Sequence, residues 1–225
     1  MNIEYKNLNT WNDKWIAEEV FPGMREGFYV EAGACNGIGC SSTYILEKEL
    51  GWKGILVEPD PIFFGSGLEN NRPDSICVNR GLASETKLVD FYSIDDTWGG
   101  YNGFPSLHKF GEEAWWKKVN RMHPDKTHTK TSIECVTLYN LLCENNAPDT
   151  IDYLALDVEG AELDVLKTFP FNEYRFKAIS IEFSPRELTI LLIKNGYIPV
   201  INPFCEVYHE DYFIHKEHID IGYKA

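Results

Sequence analysis

The chain has 225 residues, of which 44% are apolar, 14% aromatic and 25% charged. That composition fits one globular domain carrying at most an elaborated insert, and excludes a disordered chain. Asp and Glu number 35 against 21 Lys and Arg, a formal charge of −14; this argues against nucleic acid and membrane surfaces as partners, which need clustered cations.

No window holds the ~18 uncharged apolar residues that span a bilayer, and Met1 to Glu19 lacks the layout of a signal peptide. The cysteines (Cys35, Cys40, Cys77, Cys135, Cys143, Cys205) form no CxxC pair. They read as free thiols of a reducing cytoplasm.

Apolar runs alternate with helical patterns, the mark of an α/β fold with a mainly parallel sheet. Thr10 to Val20 is a predicted helix, with Trp11, Trp15, Ile16 and Val20 at helical spacing and Asn9 or Thr10 as its cap. Gly27 to Glu31 is a strand, Ala32 to Gly39 a turn, and Ser41 to Leu50 a helix stopped by Gly51. Gly54 to Glu58 is the second strand, Ile62 to Asn71 a helix, and Ser75 to Asn79 the third strand. Leu88 to Ile94 and Ser132 to Thr137 are strands flanking a long irregular segment, 95–131, of a length that usually signals function. Leu138 to Glu144 is helical, Ile151 to Asp157 a buried strand, Ala161 to Phe169 a helix and Ala178 to Phe183 a fifth strand. Ser184 as cap and Pro185 in the first turn open a helix that Gly196 stops. Tyr197 to Ile201 and Tyr212 to His215 close the chain as strands. One domain over residues 1–225, with an insert at 95–131, accounts for this order.

Ligands of open α/β sheets bind beyond the carboxyl ends of the strands. Those ends carry Glu31, Glu58, Asn79 to Leu82, Asp157 with Glu159 and Gly160, and Glu182. Such acids suit hydroxyls, amines or positive charge. Gly33 and Gly37 let a ligand approach the backbone of the first turn, and Glu58, 25 residues after Gly33, is placed to accept bonds from two ribose hydroxyls. The dinucleotide pattern GxGxxG and the phosphate loop GxxxxGK[ST] are both absent. Glu31 would repel a pyrophosphate and suit the ammonium and nearby sulfonium of S-adenosylmethionine, which is therefore the expected cofactor.

The run Tyr29-Val30-Glu31-Ala32-Gly33-Ala34-Cys35-Asn36-Gly37 resembles the first motif of the FkbM family of S-adenosylmethionine-dependent methyltransferases. The likeness continues through Gly51-Trp52-Lys53-Gly54-Ile55-Leu56-Val57-Glu58-Pro59 and Asn71-Arg72-Pro73. It is most specific at Asp157-Val158-Glu159-Gly160-Ala161-Glu162, and extends to Ile179-Ser180-Ile181-Glu182 and Asn195-Gly196-Tyr197. Ser42 stands where the family pattern more often has Asn. The resemblance implies a class I methyltransferase (Rossmann-like) fold, a seven-stranded sheet with one antiparallel strand and helices on both faces. It implies methylation of hydroxyls, commonly on sugars or glycosylated products. By that likeness Glu31, Gly33, Asn36, Gly37, Ser42 and Thr43 surround the methionine moiety, Glu58 the ribose, and Gly81 and Leu82 the adenine. Ala34, Pro59 and Asp157 complete the cofactor-binding set.

Transfer to a sugar hydroxyl needs an aligned acceptor and a route for its proton. Either a carboxylate among Asp157, Glu159 and Glu182 or a histidine, with His128 the candidate, serves as base, or a divalent cation such as Mg²⁺ or Mn²⁺ acidifies the hydroxyl. Asp157 and Glu182 end strands expected to be neighbours and are the metal candidates; the competing reading has Asp157 and Glu159 merely capping the next helix. His108, His123 and His128 lie in the insert with Trp98, Tyr101, Trp115 and Trp116, aromatics that either stack on a sugar or anchor the insert. A nicotinamide-dependent oxidoreductase and a non-catalytic binding module are the alternative functions.

Overall fold

In the computed structural model, residues 4–5, 10–39, 41–94, 102–206 and 209–219 are described. A short helix α1 (Asn12–Lys14) runs into a π-helical stretch (Trp15–Val20), closed by the Phe21 N–H donating to the Ile16 carbonyl. Trp11, left-handed at φ 54, occupies the cap position with no side-chain cap. Thr10 therefore does not cap the helix as expected, and Asn9 lies outside the described residues.

The chain then alternates through β1 (Phe28–Ala32), α2 (Tyr44–Leu50), β2 (Lys53–Val57), α3 (Pro61–Gly65), α4 (Leu68–Asn71) and β3 (Ile76–Val78). The single helix expected over Ile62 to Asn71 is two, because the Gly65-Ser66-Gly67 run breaks it; Gly67 sits at φ 122. Next come β4 (Gly81–Leu82), β5 (Lys87–Ile94), α5 (Glu112–Met122), β6 (His128–Val136), α6 (Leu138–Glu144), β7 (Thr150–Leu156), α7 (Glu162–Leu166), β8 (Arg175–Glu182), α8 (Arg186–Lys194), β9 (Tyr197–Val200) and β10 (Glu210–His215). Pro185 rather than Ser184 holds the cap position of α8.

The main sheet has the order β3-β2-β1-β7-β8-β10-β9, with β10 antiparallel to both its neighbours and the other pairings parallel. This is the seven-stranded, mostly parallel α/β architecture expected. Side-chain alternation gives the sheet two apolar faces. Val30, Ala32, Leu154, Leu156, Ile179 and Ile181 pack under α6, α7 and α8, whereas Tyr29, Tyr153, Ala155 and Ala178 meet Trp15 and Ile16 from the opening helix, Leu46 of α2 and Trp52 just before β2. Burying each Val, Leu or Ile side chain among these contributes about 1.5–3 kcal/mol. No helix among the described residues is long and apolar enough to cross a membrane.

The 95–131 segment is less irregular than its composition implied. Residues 95–101, including Trp98 and Tyr101, two of the aromatics read as either stacking on a sugar or anchoring the insert, lie outside the described residues. The remainder holds a 3-10 turn at Pro105–Leu107, α5 and the first residues of β6, which pairs antiparallel with β5 from Lys87↔Cys135 to Ile94↔His128. Trp115 is buried with Ile94 and Val119, and Trp116 packs edge-on against Trp115. These two indoles anchor the insert. Among the described residues the cysteines are free thiols.

Candidate active site

One cavity of about 460 Å³ runs across the carboxyl ends of β2, β1, β7 and β8, where the chain reverses direction across the sheet. Such clefts at a topological switch point are where open α/β sheets bind ligands. Of the sequence-predicted residues, Glu31, Gly33, Ser42, Glu58, Pro59, Leu82, Asp157, Glu159 and Glu182 line it.

At the β1 end, the strand period puts Glu31 on the same face as Tyr29, toward α2. Its carboxylate accepts from Ser41 Oγ (3.0 Å), from the Ser42 N–H (2.7 Å) and from Thr43 Oγ1, and lies 3.6 Å from the Arg72 guanidinium. Glu31 thus reaches the cavity wall with both oxygens engaged and its charge matched, instead of offering a free carboxylate to an ammonium. Gly33, at φ 88, could carry no side chain: a Cβ would stand 2.1 Å from the Asp157 carbonyl oxygen. Close backbone packing of β1 against β7 demands this glycine whatever the ligand.

Four members of the predicted binding set do not line the cavity in this region. Ala34 is fully buried in the core beside α2. Asn36 turns its Oδ1 back to the Ile38 and Gly39 N–H groups. Gly37 backs onto Arg72, whose Cγ a Cβ would approach to 2.7 Å. Thr43 is buried against Glu31 and Arg72.

At the β2 end, Glu58 is buried, and its oxygens accept from the Cys35 N–H and the Asp60 N–H, both at 2.7 Å. Burial pushes its carboxyl up to about 7, against the lowering effect of those two donors. Beside it Phe63, Leu82, Phe91 and Phe104 make an apolar wall. Gly81 lies behind that wall, where a Cβ would strike Cys135 and Phe104. Asp60, unnoticed in the sequence, caps α3 through Ile62 N and accepts from Ser93 Oγ (3.0 Å) and Asn102 Nδ2 (2.6 Å), tying the insert to the rim.

Asp157 and Glu182 follow one another in parallel register, one position beyond the Leu156↔Ile181 pair. With Glu159 they bring carboxylate oxygens within 4.8 Å of one another. Asp157 is exposed to the cavity, and desolvation by the protein around that cavity raises its pKa. Burial, then the charges of Asp157 and Glu159, raises Glu182 far above the ordinary carboxylate range. Two carboxylates this close hold a proton between them. Glu159, left-handed at φ 53, is raised by burial and by Asp157, against Lys118 Nζ at 3.8 Å. One Glu182 oxygen is buried without a hydrogen-bond partner. Three converging oxygen donors, one of them unpartnered, fit a hard divalent cation. The helix-cap reading does not describe them, since the cap position of α7 is Ala161.

Several site residues escaped sequence reasoning. Glu210 opens β10 opposite Glu182, accepts from Asn12 Nδ2 at 2.8 Å, and burial raises it to about 8. Asn12 also donates to Ser42 Oγ (3.1 Å), joining the opening helix to the rim. Phe183, at φ 51, stacks on His209 with centroids 5.1 Å apart and planes 25° apart, and both line the cavity. Lys118 comes from α5 of the insert, as Asn102, Gly103 and Phe104 come from the loop before it. The Lys109 N–H bonds the Gly160 carbonyl at 2.8 Å, so the insert docks on the Asp157 to Gly160 turn. His128, the candidate base, is not at the cavity. It sits on β6 with its ring 5.2 Å from that of Trp116.

Comparison with known proteins places residues 31–218 on the sequence profile described as the methyltransferase FkbM domain. A search of curated proteins finds no match. Among solved structures, the chain is similar to M. capricolum TrmK in complex with the natural cofactor product S-adenosyl-homocysteine, at 9% identity and TM-score 0.45, covering 92% of this chain and 67% of that one. It is also similar to the Methanococcus jannaschii fibrillarin pre-rRNA processing protein (14%, TM-score 0.41, covering 88% and 70%) and to a human methyltransferase 10 domain containing protein (11%, TM-score 0.43, covering 92% and 79%).

Proposed function

The chain belongs to the FkbM methyltransferase family, and from that premise we propose that it transfers the methyl group of S-adenosylmethionine to a hydroxyl of a sugar or glycan. One observation carries the reading: a single cavity has the buried Glu58 and an apolar wall at one end and the Asp157, Glu159 and Glu182 carboxylates at the other. Glu58 and Pro59 would hold the ribose, Leu82, Phe63, Phe91 and Phe104 the adenine, and Gly33, Ser42 and Asp157 the methionine part. The cofactor supplies an activated methyl on a cationic sulfur, and an acid-rich site favours that charge. A dinucleotide fits less well, because the Ser42 N–H near the start of α2 is spent on Glu31 and offers nothing to a pyrophosphate.

The residues at the far end have the acceptor's proton to deal with. As the new C–O bond forms and the C–S bond breaks, the hydroxyl proton passes to the ionised member of the Asp157–Glu182 pair. A pair raised in pKa is a competent base near neutrality. The same carboxylates, with Glu159, would hold Mg²⁺ or Mn²⁺, which would acidify the hydroxyl. Phe183 and His209 give a sugar's C–H face an aromatic surface next to those acids.

The test is incubation with labelled S-adenosylmethionine and a panel of sugars and oligosaccharides, with and without EDTA. Transfer to a sugar oxygen is expected; loss on chelation, restored by Mg²⁺ or Mn²⁺, would establish the cation. Calorimetry showing micromolar binding of NAD and none of S-adenosylhomocysteine would reject the reading.

A further inference from the structure

Arg72 is fully buried, and every N–H of its guanidinium is accounted for. Nε donates to Glu47 (3.1 Å); Nη1 to the Gly37 carbonyl (3.2 Å) and Ser41 Oγ (3.0 Å); Nη2 to Tyr29 OH (2.6 Å), the Thr43 carbonyl (3.2 Å) and Thr43 Oγ1 (2.8 Å). Gly37, Ser41 and Thr43, together with Glu31, belong to the end of β1 and the turn that follows it. That turn also presents Gly33, Cys35 and Ser42 to the cavity. The neighbouring Asn71 adds a bond from Nδ2 to the Asn36 carbonyl (2.8 Å). The guanidinium serves the turn's inward-facing oxygens, the Gly37 and Thr43 carbonyls and the Ser41 and Thr43 hydroxyls, while Glu31 accepts from those hydroxyls and from the Ser42 N–H.

We propose that Arg72 is the positioning residue of the donor site, a clamp that fixes the turn from Gly33 to Thr43 in its ligand-binding conformation without touching the ligand. This rests on the reading that the cavity binds S-adenosylmethionine. The clamp lies only 14 residues beyond Glu58, separated from it by the two short helices α3 and α4. One segment therefore carries the ribose carboxylate at its start and the turn's clamp at its end, so the ribose and the methionine part of the donor are held by a common support. A lysine could keep the charge but has three donors on a point cation and cannot reproduce the planar fork.

The experiment compares wild type, Arg72→Lys and Thr43→Val by calorimetry with S-adenosylhomocysteine and by amide hydrogen exchange. Thr43→Val removes a hydroxyl shared by Arg72 and Glu31 and covers the case in which the lysine variant does not fold. The expected result is a Kd raised about tenfold or more, with faster exchange confined to residues 33–43 and unchanged protection in β7 and β8. Unchanged affinity in a folded variant would overturn the clamp, as would exchange rising equally through β7 and β8, which marks a merely structural role. Wild type that fails to bind S-adenosylhomocysteine would instead remove the donor reading, and with it the ligand-binding role assigned to the clamp.

Discussion

The acids at and behind the carboxyl rim of the sheet fall into two groups that behave in opposite ways. Around β1, Glu31 and Glu47 share one guanidinium and a set of hydroxyl and amide donors; Glu47 is held below its usual value by Ser75, Arg72 and Tyr29 in spite of burial. Around β7 and β8, Asp157, Glu159, Glu182 and Glu210 face one another, with Lys118 Nζ 3.8 Å from Glu159 and the His209 ring nitrogen Nε2 3.6 Å from Glu182. Acids with matched partners are scaffold. Acids crowded together with raised pKa values are poised to take up protons or cations. Partner satisfaction, not strand-end position, separates the two roles.

The sharpest way to break this contrast is to unpair the first group. Arg72→Met leaves Glu31 buried without its cation and Glu47 with Lys48 alone, and should cost about 3–5 kcal/mol, read by urea denaturation. The matching change in the second group should act on chemistry instead. Glu182→Gln is expected to lower turnover about 10²–10⁴-fold while S-adenosylhomocysteine still binds. A similar stability loss in both variants would erase the distinction.

The pH dependence follows from the same comparison. Glu58 and Glu162 stand near 7, Glu210 near 8 and Glu182 higher still, all above the ordinary 4.5. The folded state therefore binds more protons than the unfolded chain above pH 4.5. Their contribution to stability is complete below that point and is lost as pH rises through 7 and 8. Thermal melts of the ligand-free protein should show Tm falling across that range, with a shallower slope in Glu182→Gln. At the cavity's other end, Glu58→Ala should weaken S-adenosylhomocysteine binding about 10-fold or more, the scale of losing bonds to a charged acceptor. The smallest effect is expected at His128, where substitution by Ala should leave turnover within about twofold, since its ring packs on Trp116 away from the cavity.

Much of this was legible in the sequence. The apolar runs Gly27 to Glu31 and Ile151 to Asp157, with glycines after them, defined the central strands and hence the rim where ligands bind. The roles of individual acids were not legible, because Glu31 meets its cation across 41 residues and nothing local to either announces the pairing. Gly37 looked like a ligand contact for the same reason; it makes room for the stem of Arg72. The insert hid α5 behind a mixed composition, although Trp115, Val119 and Met122 lie at helical spacing. Phe183 and His209 come together only because β10 runs antiparallel beside β8, with the Phe183 N–H donating to the His209 carbonyl at 2.6 Å.

The most direct measurement is a crystal structure with S-adenosylhomocysteine soaked in. The account places its ribose hydroxyls on Glu58, its adenine against Leu82 and its sulfur toward Asp157 and Glu182. Density for the nucleoside anywhere else, or a bare rim at saturating ligand, would contradict it.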